Sequence, residues 1–298
     1  MASGGYLVDG EIDSQPECWL RASELAREVA GVLPARGERV AVAGCGTSWF
    51  MAMAYAALRE AAGEGVTDAF PASEMPLGRS YDRVLVITRS GTTTEVLELL
   101  RKLRGTVPTV GITAVPGAPI AEVCDELVAL EFADEQSVVQ TRFATTALAL
   151  LRASLGEDLT GAVEDARAVL ATELGALPAG EQISFLGRGW TVGLAHEAAL
   201  KVREAAGLWS EAYPAMEYRH GPISIAEPGR TTWMFGEAPA GLAAEVAATG
   251  AAYLDSGRRD PMAHLVLAQR VAVAAAVNRG LDPDRPRNLT RSIVLDEV

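Results

Sequence analysis

The sequence predicts an α/β fold in which two halves of the chain repeat one doubly wound unit with a parallel sheet. Short apolar runs alternate with segments of helical periodicity, the pattern of a parallel sheet covered by helices on both faces. Two glycine pairs, Gly44 with Gly46 and Gly187 with Gly189, follow the apolar run that opens each half. The 298 residues are 49% apolar and 22% charged, which is enough to bury a sizeable core.

The first half contains three predicted strands. Apolar runs at 38–44, 81–91 and 107–114 are candidates, and the first two lead through a glycine turn into helical segments. Two further helices are expected near 138–155 and 160–173.

The second half restarts the same scheme. A strand and turn at 181–190 precede a helix, a further strand is expected at 230–237, and a last long helix at 262–279. His264 lies within the apolar run of that last helix, where a histidine is more often packed than functional.

The domain boundaries follow from this repeat. The stretch 174–182, rich in glycine, alanine and proline, is the predicted seam. We therefore expect an N-terminal extension at 1–20, a first subdomain at 21–175, and a second at 176–298 that includes the C-terminal tail.

Charge and cysteine content limit the classes of function. A net charge of −13 without a lysine or arginine cluster argues against binding to nucleic acid or anionic membranes. Three cysteines without paired spacing make a disulfide framework or a zinc site improbable, and they fit a reducing cytoplasm. We expect a cytoplasmic protein without a signal peptide, because the N-terminal residues are acidic and lack an apolar core.

Two glycine- and hydroxyl-rich loops follow predicted strands. Gly46, Thr47 and Ser48 stand between the first strand and its helix, where backbone N–H groups attract anions. The simpler alternative is a glycine turn with Ser48 as the helix cap. The second loop, 88–93, holds four hydroxyls, a glycine and Arg89, which is more than one helix cap requires. Together the loops suggest a phosphate site.

Candidate acid and base residues lie further along the chain. Glu197, Lys201 and Glu204 are spaced to share one face of a helix. The alternative is an exposed, salt-bridged stripe. Apolar neighbours favour a buried helix instead, and a buried carboxylate beside a lysine is a candidate general base. His220 precedes Gly221-Pro222 and therefore lies in a loop.

An ordered set of motifs resembles a known family. It comprises GCGTS, SGTTTE, FLGRG, EAALKVREA, EAYPAMEYRHGP and DPDRPRNLTRS, and it covers nearly the whole chain from about residue 20. The set is similar to the isomerase half of glutamine–fructose-6-phosphate aminotransferase, within the SIS (sugar isomerase) superfamily. The resemblance implies two flavodoxin-like SIS subdomains, a homodimer with shared active sites, and no metal or other cofactor.

The resemblance also implies roles for individual residues. Glu204 would move a proton between C1 and C2, and His220 would open the sugar ring in the neighbouring subunit's site. Lys201 stands at the family's helix lysine. A phosphorylated amino sugar is the implied partner, and its phosphate would be held by a set of loop residues: Ser48, Thr88, Arg89, Ser90 and Thr93.

Four departures from the family pattern bear on the reaction. The sequence has no counterpart of the glutaminase domain, so we expect no synthase activity. Arg89 replaces a glutamine, and the triplet Arg89-Ser90-Gly91 is more typical of amino-sugar-phosphate deaminases. Gln140 and Arg142 replace residues that contact the sugar. Arg291 replaces the lysine that forms a Schiff base with the ketose, and arginine stays protonated and cannot do so.

These features leave several functions open. The preferred hypothesis is deamination of glucosamine 6-phosphate to fructose 6-phosphate and ammonia. Dehydration of N-acetylglucosamine 6-phosphate by loss of the C3 hydroxyl would use the same carbanion. A sugar-phosphate-sensing module without chemistry, or an aldose–ketose isomerase of another sugar phosphate, are the alternatives.

Overall fold

The computed structural model describes residues 5–295 and contains two parallel β-sheets. The helices are α1 Leu7–Asp13, α2 Gln15–Glu28, α3 Thr47–Ala61, α4 Thr94–Leu103, α5 Arg142–Ser154, α6 Thr160–Leu170, α7 Thr191–Ala206, α8 Leu242–Ala248 and α9 Pro261–Asn278. The strands are β1 Val40–Gly44, β2 Thr67–Pro71, β3 Arg83–Ile87, β4 Thr109–Thr113, β5 Glu126–Ala129, β6 Gln182–Gly187, β7 Trp209–Pro214, β8 Arg230–Met234 and β9 Ala252–Asp255.

The two sheets share one topology. The five-stranded sheet has the order β2-β1-β3-β4-β5, and the four-stranded sheet has the order β7-β6-β8-β9. Numbered within its own half, the second sheet reads 2-1-3-4, which is the first sheet without its last strand. All pairings are parallel, with Val42 opposite Ala69 and Leu85 in the first sheet. The predicted α/β class and the duplication are confirmed, and the order is the flavodoxin-like one.

The strands that the sequence did not predict are the four edge strands. β2 and β5 border the first sheet, and β7 and β9 border the second. These strands are largely half-buried or exposed, whereas β1, β4 and β6 are buried throughout. A strand that is buried on both faces reads as a continuous apolar run, while an edge strand carries a mixed sequence. The central strands were therefore recognisable and the edges were not.

Contacts divide the described residues into two compact units. The five-stranded unit comprises 17–136, 140–159 and 290–295, and the four-stranded unit comprises 5–16, 137–139 and 160–289. This division differs from the predicted boundaries at 20 and 175. It places α6 with the second sheet and residues 290–295, at the end of the C-terminal tail, with the first.

Hydrogen bonds within the four-stranded unit explain why it contains α6 and the N-terminal segment. α6 packs against α9, and Arg270 donates to the carbonyls of Val169 at 2.6 Å and Thr172 at 2.8 Å. The N-terminal segment is held by Asp284, which accepts from the N–H groups of Leu7 at 2.7 Å and Val8 at 2.9 Å. Within residues 5–295, no helix has the length and apolarity needed to cross a bilayer.

A buried arginine organises the start of the five-stranded sheet. Arg59 of α3 is fully buried and donates to the carbonyls of Glu38 at 3.0 Å, Ala35 at 2.6 Å and Glu64 at 2.9 Å. It also donates to the Thr67 hydroxyl at 2.8 Å. One side chain therefore fixes the segments that lead into β1 and β2.

We expect Arg59→Met to lower the free energy of unfolding by about 3 kcal/mol, because several buried carbonyls lose their donor. Urea titration followed by circular dichroism measures the change. Arg104→Met, at an exposed position after α4, is the matched control and should shift stability by less than about 0.5 kcal/mol. Equal effects of the two substitutions would contradict the role given to Arg59.

A buried histidine makes the four-stranded unit sensitive to acid. His264 of α9 is 1% exposed, and its Nδ1 accepts a hydrogen bond from the Trp233 indole at 2.9 Å. Burial lowers the pKa of His264 from 6.5 to about 4, so the folded state holds the neutral ring. The prediction that this histidine is a packed core residue is confirmed.

This lowered pKa fixes the direction of a pH dependence. The unfolded chain binds the proton near pH 6.5 and the folded chain only near 4, so stability falls as the pH drops through that window. The loss reaches up to about 3 kcal/mol below pH 4. We expect His264→Gln, which keeps an acceptor for Trp233 but does not titrate, to remove this part of the pH dependence in urea titrations at pH 4 to 7. An unchanged profile would contradict the assignment.

Candidate active site

The first glycine loop begins helix α3 without a side-chain cap. Gly46 occupies the cap position with φ 53°, in the left-handed region that favours glycine, and the helix starts at Thr47. Thr47 and Ser48 are buried inside the first turn. The alternative in which Ser48 serves as the helix cap is therefore wrong, and the N–H of Ser48 donates to the carbonyl of Cys45 at 3.1 Å.

The second loop follows β3 at the same edge of the five-stranded sheet. Thr88 is buried, and its hydroxyl has no hydrogen-bond partner among residues 5–295. Ser90 accepts from the hydroxyl of Thr92 at 2.9 Å, and α4 begins after Thr93, which forms no side-chain cap. A buried, unsatisfied hydroxyl is costly unless a ligand completes it. The loop therefore gathers several hydroxyl groups at this edge of the sheet.

Arg89 lies in this loop but is engaged within the unit. Its side chain is 5% exposed, and Nη1 lies 3.5 Å from a carboxylate oxygen of Glu135. Nη2 donates to the carbonyl of Arg291 at 2.9 Å. Glu135 also accepts from the backbone N–H of Thr141 at 2.6 Å. The predicted contact of Arg89 with phosphate stays a prediction, and its visible role is to join the loop to the tail.

The tail residue Arg291 contacts the segment before α5. Its Nε donates to the carbonyl of Glu135 at 2.9 Å, and its Nη2 forms an ion pair with Asp134. Its side chain remains 35% exposed, so part of the guanidinium is accessible. Gln140 is half-buried just before α5, and its predicted contact with the sugar stays a prediction.

Helix α7 brings together the predicted acid and base residues. Lys201 is 1% exposed, and its ammonium lies 3.6 Å from the carboxylate of Glu197 and donates to the carboxylate of Glu204. Glu197 is fully buried, whereas the side chain of Glu204 is 20% exposed. The alternative of an exposed, salt-bridged stripe is therefore wrong. Of the two carboxylates, Glu204 is the one that a substrate can reach.

A cavity of about 250 Å³ opens beside Glu204. Residues 286–288 of the C-terminal tail form part of its wall. Asn288 has φ 64°, the only positive φ of a non-glycine residue among those described, and such strained backbone clusters at functional sites. The lining residues are Arg203, Glu204, Ala205, Gly207, Leu281, Asp282, Arg285, Pro286, Arg287 and Asn288.

His220 ends a short 3₁₀ turn, Glu217–His220, and is exposed in the single chain. The turn is anchored by the buried Tyr218, whose hydroxyl lies 3.0 Å from that of Thr232. Gly221 follows with φ 136°, so the chain reverses directly after the histidine. The role of His220 in a neighbouring subunit stays a prediction.

Two features of the site were missed by sequence reasoning. Glu135 is 1% exposed and accepts the N–H groups at the start of α5, so it organises the segment that contacts the tail. Ser292 contacts the second loop. An acidic residue beginning a polar stretch was the available signal for Glu135, while nothing marked Ser292. Among residues 5–295, no three His, Cys, Asp or Glu side chains form a metal-binding group.

The chain is similar in sequence to proteins that contain a SIS domain. A model of the SIS domain matches residues 35–155. A glutamine–fructose-6-phosphate aminotransferase (isomerizing) from Aeropyrum pernix is 31% identical over 267 residues, covering 72% of this chain and 43% of that protein. The chain spans about half the length of the curated relatives it matches.

Two solved structures share the fold over nearly their whole length. Glucosamine-6-phosphate deaminase from Thermotoga maritima has a TM-score of 0.80 at 25% identity, covering 96% of this chain and 99% of that one. Tagatose-6-phosphate ketose/aldose isomerase from Escherichia coli has a TM-score of 0.82 at 19% identity, covering 99% and 97% respectively. At 19% identity, the likeness to the isomerase shows a shared fold and no more.

We expect Lys201→Met to lower the free energy of unfolding by about 3–5 kcal/mol, because it removes the buried ammonium shared by the buried Glu197 and the partly exposed Glu204. Lys102 provides a matched control, since Glu98 and Lys102 form the same i,i+4 pair at 3.8 Å with the lysine 60% exposed. Lys102→Met should cost less than about 0.5 kcal/mol. Chemical denaturation of both variants measures the two changes in the free energy of unfolding. Similar small decreases would contradict the role given to the ion pairs of Lys201.

Proposed function

Since the chain contains a SIS domain and is homologous to the isomerase domain of the glutamine–fructose-6-phosphate aminotransferases, we propose that it is an enzyme acting on a 2-amino-2-deoxyhexose 6-phosphate. The proposed reaction is deamination of glucosamine 6-phosphate to fructose 6-phosphate and ammonia. The observation that carries it is the accessible Glu204 carboxylate held by the buried Lys201. The likeness to a glucosamine-6-phosphate deaminase over 96% of the chain supports the substrate.

The proposed chemistry is a proton transfer between adjacent carbons. After ring opening, assigned to His220, Glu204 removes the proton from C2 of the aldehyde, and the electrons form an enolamine. Return of the proton to C1, together with passage of an amine proton to O1, leaves an imine at C2. Water then adds to C2 and ammonia departs, which gives fructose 6-phosphate. Lys201 orients the Glu204 carboxylate through a charge-assisted hydrogen bond, so the base does not have to be positioned during the reaction.

The phosphate is assigned to the two hydroxyl-rich loops. Thr47, Ser48 and Thr88 are buried at the carboxyl edge of the five-stranded sheet, and the Thr88 hydroxyl has no partner among the described residues. A phosphate monoester offers oxygens that only accept hydrogen bonds, which suits donors of this kind. Ser90 and Thr93 belong to the same assignment.

The tail arginine supports release of ammonia over retention of the amine. A lysine at position 291 could condense with the ketose, whereas the guanidinium of Arg291 stays protonated and does not form an imine. Arg291 is 35% exposed and can donate to an oxygen that gains charge during enolisation.

We expect Glu204→Gln to reduce ammonia release from glucosamine 6-phosphate by at least about 10³-fold, because the amide cannot accept the C2 proton. Binding of the sugar phosphate should persist. A coupled assay for ammonia and fructose 6-phosphate gives the rate, and calorimetry gives the affinity. Glu164→Gln, at an exposed position of α6, is the control and should leave both unchanged.

Other outcomes of this assay would identify the alternatives. Near-normal ammonia release by Glu204→Gln would show that another residue moves the proton. Binding to the wild type without turnover would indicate a sensor. Conversion of a neutral sugar phosphate without ammonia would indicate an aldose–ketose isomerase. Borohydride added during turnover should trap no adduct at Arg291, and a covalent adduct on the wild type would direct attention to Lys201.

A further inference from the structure

The C-terminal tail inserts a hydroxyl into the second loop. The Oγ of Ser292 lies within hydrogen-bond distance of three loop hydroxyls: Ser90 at 3.0 Å, Thr92 at 2.9 Å and Thr93 at 3.4 Å. Thr92 also donates to Ser90 at 2.9 Å. Three hydroxyls of the loop and one of the tail therefore form a single hydrogen-bonded cluster.

Backbone hydrogen bonds fix the tail on both sides of this cluster. The N–H of Thr94, at the start of α4, donates to the carbonyl of Ile293 at 3.1 Å, and the N–H of Leu295 donates to the Thr94 hydroxyl at 2.9 Å. Before the serine, the carbonyl of Arg291 accepts from Arg89 at 2.9 Å. The tail thus supplies the acceptor that α4 lacks at its first turn, and its register against the loop is fully set.

The loop hydroxyls that contact Ser292 include two of those assigned to the phosphate. Each hydroxyl has one proton to donate, so a phosphate that accepts from Ser90 or Thr93 changes which hydroxyl donates to Ser292. The Thr88 hydroxyl, two residues before Ser90, is buried and has no hydrogen-bond partner among the described residues. Occupancy by phosphate and the position of the tail are therefore connected through Ser292.

We propose that Ser292 is a positioning residue that ties the tail, and with it Arg291, to the phosphate-binding loop. This inference rests on the proposed function, because it takes the loop to be the phosphate site. Ser292 does not touch the reacting carbons in this scheme. It holds the chain at its neighbour Arg291, whose guanidinium the proposed function assigns to the sugar oxygens.

The test compares Ser292→Ala with Ser292→Thr, which retains a hydroxyl. Hydrogen exchange measured by mass spectrometry reports on the Thr94 and Leu295 amides, which bridge loop and tail. In the wild type, inorganic phosphate should slow exchange at both amides. In Ser292→Ala this protection should be lost, with kcat for glucosamine 6-phosphate reduced about tenfold, the equivalent of one hydrogen bond. Ser292→Thr should restore both.

A control separates positioning from general stability. Val294→Ala, at a tail side chain that is 63% exposed, should leave protection and kcat unchanged. If Ser292→Ala keeps both the phosphate-dependent protection and the wild-type kcat, the positioning role is refuted while the proposed function stands. If the wild type neither binds inorganic phosphate nor converts glucosamine 6-phosphate, the proposed function fails and the positioning role fails with it.

Discussion

The close approach of a strand to the helix that follows it is the constraint on which the rest of the structure depends. It occurs twice, at Gly44 and at Gly187, where an added Cβ would lie closer than 3.0 Å to the backbone of the next helix. Only glycine lets each helix start directly at the carboxyl edge of its sheet. At the first position this places Thr47 and Ser48 in the first turn of α3, and at the second it sets the start of α7, which carries Lys201 and Glu204.

The sequence allowed prediction of the parts of the fold that this constraint governs. The glycine pairs and the apolar central strands identified both sheets and their duplication, because full burial imposes an apolar run and close packing imposes glycine. The edge strands β2, β5, β7 and β9 could not be recognised, because half-exposed positions accept almost any residue. The assignment of α6 and the tail to units depends on long-range hydrogen bonds that no local pattern records.

The candidate site could likewise be predicted only in part from the sequence. The spacing of Glu197, Lys201 and Glu204 predicts one helix face, but it fits an exposed stripe and a buried cluster equally well. Burial decides between them, and it is set by the packing of α7 against α9 and the sheet. A lysine at 1% exposure between two carboxylates is retained at a cost in desolvation, which an exposed pair such as Glu98 and Lys102 does not incur. That cost is understandable if the oriented carboxylate is used chemically.

The surroundings of Arg291 in the tail come from residues that are distant in the sequence. From the sequence, Arg291 is a residue that cannot form an imine, and its partners are unknown. In the structure its side chain contacts Asp134 and the Glu135 carbonyl, while the Glu135 carboxylate also contacts Arg89 of the second loop. A neutralised lysine would be poorly suited to this acidic surrounding, whereas a permanent cation fits it. The arginine and the carboxylates beside it therefore form one arrangement, in which a permanent cation is held by Asp134 and by the segment that Glu135 organises.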